Sequence, residues 1–292
     1  MMFEGFERRD IATGETMIHA RIGGSGPPLL LLHGYPQSHV MWHRVAPALA
    51  ERCTVVCADL RGYGDSGKPA SDPTHAAYSK RACAQDMVEV MAALGFERFM
   101  LAGHDRGGRV GHRLALDHPE RLERLAILDI VPTRTIFRAT NQRIATDYYH
   151  WFFLIQPYDL PEHLIGGDPV YYLHKKIGAW SGGPQSFAPE ALAEYERCFS
   201  DPAVIHASCE DYRAAASIDL AHDEADLDRR IACPVHVLWG KHGAMERNFD
   251  VPATWRERAH GPVTGRALDC GHFLPEERPD ETARELLAFF SC

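Results

Sequence analysis

Short apolar runs, each followed by a stretch with helical spacing, recur along most of this chain. Residues 29–32, 53–57, 98–102, 125–128 and 234–239 read as strands, and a last one covers 263–268. Runs that are apolar at nearly every position fit strands buried on both faces of a parallel sheet. Residues 6–21 instead alternate, with a break at Thr13-Gly14-Glu15, which predicts an N-terminal hairpin. Helical periodicity covers 81–94, ending at Gly95, then 110–116 and 281–290. Strand–helix alternation implies a mostly parallel central sheet with helices on both faces. The alternation stops after Pro132. Residues 133–225 carry no buried-strand pattern, are helical in spacing and are rich in aromatics, as in Tyr148-Tyr149-His150-Trp151-Phe152-Phe153. The expected organisation is an α/β core of residues 1–132 and 226–292, interrupted by a helical cap of residues 133–225.

The chain's chemistry centres on Gly103-His104-Asp105-Arg106-Gly107, which sits between a strand and a helix. A small residue on either side of a central reactive one, at a strand-to-helix turn, is the pattern of a nucleophile elbow. Serine usually fills it; here Asp105 does. A carboxylate is a competent nucleophile at a saturated carbon bearing a leaving group, and the resulting alkyl ester can be hydrolysed by water. Carbon–halogen bonds or epoxides are therefore expected targets, rather than esters or amides. The plain alternative is an Asp that only caps the following helix.

An elbow nucleophile needs a base, an acid to orient it, and an oxyanion hole. His272, directly after the last strand, is the expected base and would activate the hydrolytic water. The strand ending at Trp239-Gly240-Lys241-His242 carries no carboxylate at its end, and Glu246 and Asp250 come later. Asp129, which closes the strand after the elbow helix, is expected to orient His272. The backbone N–H groups of Tyr35, in His33-Gly34-Tyr35-Pro36, and of Arg106 should form the oxyanion hole.

Composition narrows the partners. The 292-residue chain is 45% apolar and carries a net charge of −9 with a pI near 6.0, which argues against nucleic acid or an anionic membrane. Arg106 and Arg109 flank the nucleophile one helical turn apart. A guanidinium fork matches a carboxylate, so a small anionic substrate is expected; a surface ion pair is the alternative for Arg109. The 8 cysteines form no CxxC pair and the 17 histidines no metal spacing. Reduced thiols, a cytoplasmic protein, no metal and no cofactor are expected. Residues 1–10 lack a signal-peptide core, and no run approaches a membrane span.

The His33–Pro36 and 59–66 loops, the elbow with both arginines, Asp129, the cap and Gly271-His272 together resemble the α/β-hydrolase dehalogenases, specifically the fluoroacetate dehalogenases. The resemblance implies that Arg106 and Arg109 bind the substrate carboxylate. It also implies that His150, Trp151 and Tyr212 receive the departing halide, and that the protein is a homodimer. Arg106 stands where relatives acting on neutral haloalkanes carry Trp. Epoxide hydrolases share the elbow and use two cap tyrosines, and Tyr148, Tyr149, Tyr158, Tyr171, Tyr172, Tyr195 and Tyr212 offer several pairs.

Overall fold

The computed structural model describes residues 2–291. Its eight strands are β1 (Glu7–Ala12), β2 (Met17–Gly23), β3 (Pro28–Leu32), β4 (Thr54–Ala58), β5 (Phe99–His104), β6 (Leu122–Leu128), β7 (Val235–Gly240) and β8 (Val263–Leu268). They form one sheet in the order β1-β2-β4-β3-β5-β6-β7-β8. β1 and β2 are the expected hairpin, and β2 runs antiparallel to β4. All later pairings are parallel. The central runs are buried as their composition demands: Leu29, Leu30, Leu31 and Leu32 are fully inaccessible. The edges differ. β1 presents Glu7, Arg8, Arg9 and Asp10 to solvent, which discourages another chain from pairing there.

β3 leads left in the sheet to β4, and β5 leads right to β6, so the direction of winding reverses between β3 and β5. Ligand crevices of open α/β sheets lie at such a switch point, beyond the carboxyl ends of the strands. The Tyr35 loop follows β3 and Asp105 follows β5. Asp129 and His272 follow β6 and β8, along the same end of the sheet.

Between β6 and β7 the described chain contains helices and no strand, from Thr133–Ala139 to Ile218–Ala225. Three of these helices matter below: Tyr149–Leu154, Pro169–Trp180 and Pro202–Ala216. One expectation is corrected. Six cysteines are free thiols, all buried, but Cys53 is disulfide-bonded, so the cysteines are not reduced throughout. No helix is long and apolar enough to cross a membrane.

Candidate active site

β5 ends at His104 and the helix Arg106–Asp117 begins two residues later, with Asp105 between them. Asp105 makes that turn alone, with φ 45° and ψ −112°. A positive φ is costly for a residue with a Cβ and persists only where the surroundings impose it. Here they do. A Cβ on Gly34 would lie 2.4 Å from the Asp105 Cβ, and one on Gly107 would lie 2.5 Å from the His33 carbonyl oxygen, so both glycines are required for loop, strand and helix to meet. The Asp105 carboxylate makes no capping bond to its helix. Instead its Oδ1 accepts the Tyr35 backbone N–H at 3.0 Å, across the switch point. Burial opposes its ionisation, but His272, Arg106, Arg109 and His104 outweigh that and hold its pKa below the ordinary carboxylate value. Asp105 is thus a buried carboxylate, 6% exposed, with its Oδ1 held by Tyr35.

His272 Nδ1 lies 2.5 Å from Asp129 Oδ2. The other carboxylate oxygen, Oδ1, accepts the Gly240 N–H at 2.8 Å. The acid that follows β6 therefore points at the end of β7, the place where a β7 acid would stand. Glu246 and Asp250 are engaged elsewhere, the first accepting the Trp239 indole N–H and the second capping the helix Val251–Arg256. The His272 backbone is fixed from both sides: its N–H donates to the Trp180 carbonyl at 2.7 Å, and its carbonyl faces His104 Nε2 at 2.8 Å. Burial disfavours the imidazolium, but the hydrogen bond and charge of Asp129, then the charge of Asp105, raise the His272 pKa above its ordinary value.

Both arginines are buried, Arg106 fully and Arg109 at 2% exposure. Neither lies at the surface. Arg106 is gripped from the cap: its Nε donates to Asp211 Oδ2 at 2.6 Å and its Nη2 to the Asp211 carbonyl at 2.9 Å. Asp211 also accepts from Tyr63 Oη at 2.8 Å and pairs with Lys80. Its carboxyl is held far below the usual range, Arg106 and Lys80 overcoming the cost of burial. Arg109 Nη1 donates to the Val131 carbonyl and Thr133 Oγ1, each at 3.0 Å. Among the described residues it pairs with no carboxylate, and burial followed by repulsion from Arg106 lowers its pKa. Arg106 Nη1 and Arg109 Nε and Nη2 are buried with no hydrogen-bond partner among the described residues.

His150, Trp151 and Tyr212 converge on the same cluster from two cap helices. The Trp151 ring lies 4.6 Å from the Arg109 guanidinium and the Tyr212 ring 4.2 Å from that of Arg106. Ring centroids of His150 and Trp151 lie 5.6 and 6.0 Å from that of Tyr212. Trp151 Nε1 and His150 Nδ1 are also buried without partners. Burial, then Lys176, His272 and the two arginines, push the His150 pKa well down, so the ring is neutral and carries one N–H.

A cavity of about 690 Å³ reaches this end of the sheet, its wall including Asp105, His150 and His272 at depth and Lys175 and Arg247 at the surface. Arg106, Arg109, Trp151 and Tyr212 are not on that wall; they form the closed cluster beside Asp105. The two loops that carry the motifs are stitched together. His33 Nε2 accepts the Leu60 N–H at 3.0 Å, and Asp59 Oδ1 accepts the His39 N–H at 2.6 Å with His39 Nδ1 at 2.9 Å. His19, His39 and Asp59 bring donor atoms within 4.8 Å of one another, the one such metal-capable group among the described residues. Asp59 already serves His39 and the Asp65 N–H, and His19 Nδ1 faces Asp10 at 2.6 Å. The group is a brace between loops.

Several members of the site were not singled out from the sequence: Asp211, Lys80, Thr133, Trp180 and His104. Asp211 is adjacent to Tyr212 and is buried on a helix, a position where an unpaired acid would be costly. That was the available signal. Lys80, Thr133 and Trp180 become neighbours of the site only through tertiary folding, and His104, beside the nucleophile in the chain, meets the His272 carbonyl only in that way.

Residues 27–165 match the alpha/beta hydrolase fold family. A fluoroacetate dehalogenase from Burkholderia sp. is 50% identical over 99% of this chain and 95% of its own length. A soluble epoxide hydrolase from Corynebacterium sp. (strain C12) is 35% identical over 94% and 93%. Among solved structures, one from Nostoc sp. PCC 7120, assigned provisionally to the alpha/beta hydrolases, superposes with a TM-score of 0.98 at 60% identity, covering 99% of both chains. The chain belongs to the α/β-hydrolase family and, within it, to the group that holds the Burkholderia fluoroacetate dehalogenase.

Proposed function

We propose that this protein is a haloacetate dehalogenase of the fluoroacetate type, converting its substrate to the 2-hydroxy acid (glycolate) and halide. One observation carries the reading. Beside a buried nucleophilic carboxylate, two buried guanidiniums hold three N–H-bearing nitrogens that no group among the described residues satisfies. Unsatisfied buried charge is costly, and an anion between the two forks would relieve it. Arg106 and Arg109 then bind the carboxylate and set the α-carbon against Asp105. With Oδ1 occupied by the Tyr35 N–H, Oδ2 is the attacking atom.

In the first step Oδ2 bonds to the α-carbon as the carbon–halogen bond breaks, its electron pair leaving with the halide. Trp151 Nε1, His150 and Tyr212 Oη donate to charge that develops only as that bond breaks, where donors contribute most. In the second step His272 takes a proton from water, which attacks the Asp105 ester carbonyl. The Tyr35 and Arg106 N–H groups stabilise the oxyanion on Oδ1; as it collapses, protonated His272 gives its proton to the departing alkoxide oxygen of the hydroxy acid, and the Asp105 carboxyl loses the hydroxyl proton to solvent to restore the carboxylate. No metal or cofactor is needed in this sequence.

The test is halide release from fluoroacetate and chloroacetate, with Asp105→Asn as control. Fluoride release lost in the control supports the reading. No release of either halide would defeat it and favour the second reading, epoxide hydrolysis by the same Asp105, His272 and Asp129. The Corynebacterium relative supports that alternative. Of the cap tyrosines, Tyr195 is engaged with Glu276 and Tyr172 with Tyr35, and Tyr149, Tyr158 and Tyr171 are exposed, leaving Tyr148 and Tyr212 as the acids. The unsatisfied arginines favour the haloacid.

We also propose a homodimer formed through the cap, where Tyr158, Leu164 and Tyr171 are 73%, 59% and 60% exposed. Light scattering that gives a monomer mass would refute it. Six free cysteines support a cytoplasmic setting, against which the Cys53 disulfide weighs.

A further inference from the structure

One buried cation has no part in the chemistry above. Lys176, on the cap helix Pro169–Trp180, is 2% exposed, and no carboxylate pairs with it among the described residues. Its Nζ sits 3.5 Å from the ring centroid of Tyr149, 5.1 Å from that of Trp180 and 5.8 Å from that of Tyr172. Buried lysines ordinarily find an acid or lose their proton. This one has neither solution in full: burial alone brings its pKa down to about 7. An aromatic cage holds an ammonium in place without neutralising it, which leaves the charge free for a mobile anion.

The location makes that charge useful. Lys176 lies on the wall of the same cavity as Asp105 and His272, and its charge is felt by His150. That wall also carries Asp147, Asp269 and Glu277, with Lys175, Arg247 and Arg278 among them, in a chain of net charge −9. An anion moving from the surface toward the arginines passes this mixture of charges, and a buried cation on the same wall lowers the barrier to going deeper.

We propose that Lys176 is a second anion-binding point in the access cavity, which takes the carboxylate of the incoming haloacid before Arg106 and Arg109 do and the hydroxy acid as it leaves. The proposal rests on the haloacetate reading for its substrate. Its residue and its role are separate from the carboxylate clamp.

The experiment compares wild type with Lys176→Met, Lys176→Gln and Lys176→Arg. Equilibrium binding of acetate, an unreactive carboxylate, is followed by tryptophan fluorescence, which Trp180 beside Lys176 reports. Fluoride release gives kcat and KM. Removing the charge should raise the acetate Kd and the fluoroacetate KM about tenfold, the loss sitting in KM and not in kcat. The salt dependence of kcat/KM should flatten, and Lys176→Arg should recover most of the binding. Unchanged Kd and KM in the neutral variants would overturn the proposal, as would Lys176→Arg being as impaired as Lys176→Met. If Lys176→Met does not fold, Lys176→Gln against Lys176→Arg decides. Wild type that binds acetate through Lys176 but releases no halide would overturn the haloacetate reading and leave the anion site standing.

Discussion

Replacing Arg109 with methionine should separate binding from stability. In the free protein this guanidinium has two buried nitrogens, Nε and Nη2, without partners. Each unsatisfied buried donor costs about 1–3 kcal/mol. Against this, Nη1 makes two charge-assisted bonds, to the Val131 carbonyl and Thr133 Oγ1, which contribute about 1.5–3 kcal/mol each. At the midpoints of these ranges the two sides cancel to within ~1 kcal/mol. Methionine fills much of the same volume beside the Trp151 ring and brings no charge to bury. The expected change in melting temperature is therefore small, within about 5 °C in either direction, given ~2–4 °C per kcal/mol for domains near this size. Binding should respond very differently. Losing one side of a desolvated charge pair costs about 2–5 kcal/mol, so kcat/KM for fluoroacetate should fall on the order of 30- to 5,000-fold. The assay is thermal unfolding with and without acetate, beside halide release. Acetate at about 100 times its Kd should stabilise wild type by ~2.7 kcal/mol and the variant by almost nothing. A variant that melts more than about 10 °C lower while keeping the acetate-induced shift would refute the reasoning. Arg109 would then be holding the cap to the core rather than waiting for an anion.

Other outcomes follow from the same geometry. His272→Asn should leave the first step intact and trap the ester, seen by mass spectrometry as an adduct on the Asp105 peptide; an unmodified peptide would contradict the covalent route. Single turnover in oxygen-18 water should place the label in Asp105 and not in the first product, because water attacks the ester carbonyl. Ester hydrolysis requires neutral His272, and the His272 pKa is raised, so the rate should rise with pH through a limb above the ordinary histidine value of roughly 6.5. Asp129→Asn removes the main raising influence; the limb should move to lower pH and the rate fall on the order of 10³–10⁴-fold, and a limb that stays in place would exclude the assigned pairing. Trp151→Phe deletes one of the proposed halide donors and keeps an aromatic ring, so turnover of fluoroacetate should fall on the order of 10²-fold, more than that of chloroacetate, and equal losses on both would remove Trp151 from the proposed halide site.

Much of this arrangement was legible in the chain because its signals are local. Residues 29–32 and 125–128 had to be buried strands, since an unbroken apolar run has no polar face to offer water. Gly103, Gly107 and the Asp between them announced a sharp strand-to-helix turn, and side chains at the ends of successive parallel strands necessarily gather at one edge of the sheet. Asp129 could be weighed against Glu246 because the strand ends are countable. The networks that tune the site were not legible. Asp211 reaches Arg106 across 105 positions of chain, and Lys80 reaches Asp211 across 131. Apart from the place of Asp211 beside Tyr212, nothing in their neighbours distinguishes them from solvated charges on amphipathic helices.

The sequence by itself thus determined the sheet, the interrupting cap and the carboxylate at the strand-to-helix elbow, because periodicity and turn sterics act over a few residues. Only the tertiary structure decided which charges are paired and which are left without partners. Arg106 and Arg109 are the same residue type one turn apart, yet the cap supplies an acid to the first, while the second finds only the neutral oxygens of Val131 and Thr133 just beyond β6. The energy of a buried charge depends on what surrounds it in three dimensions, and the proposed capacity to hold an anion beside Asp105 rests on those surroundings.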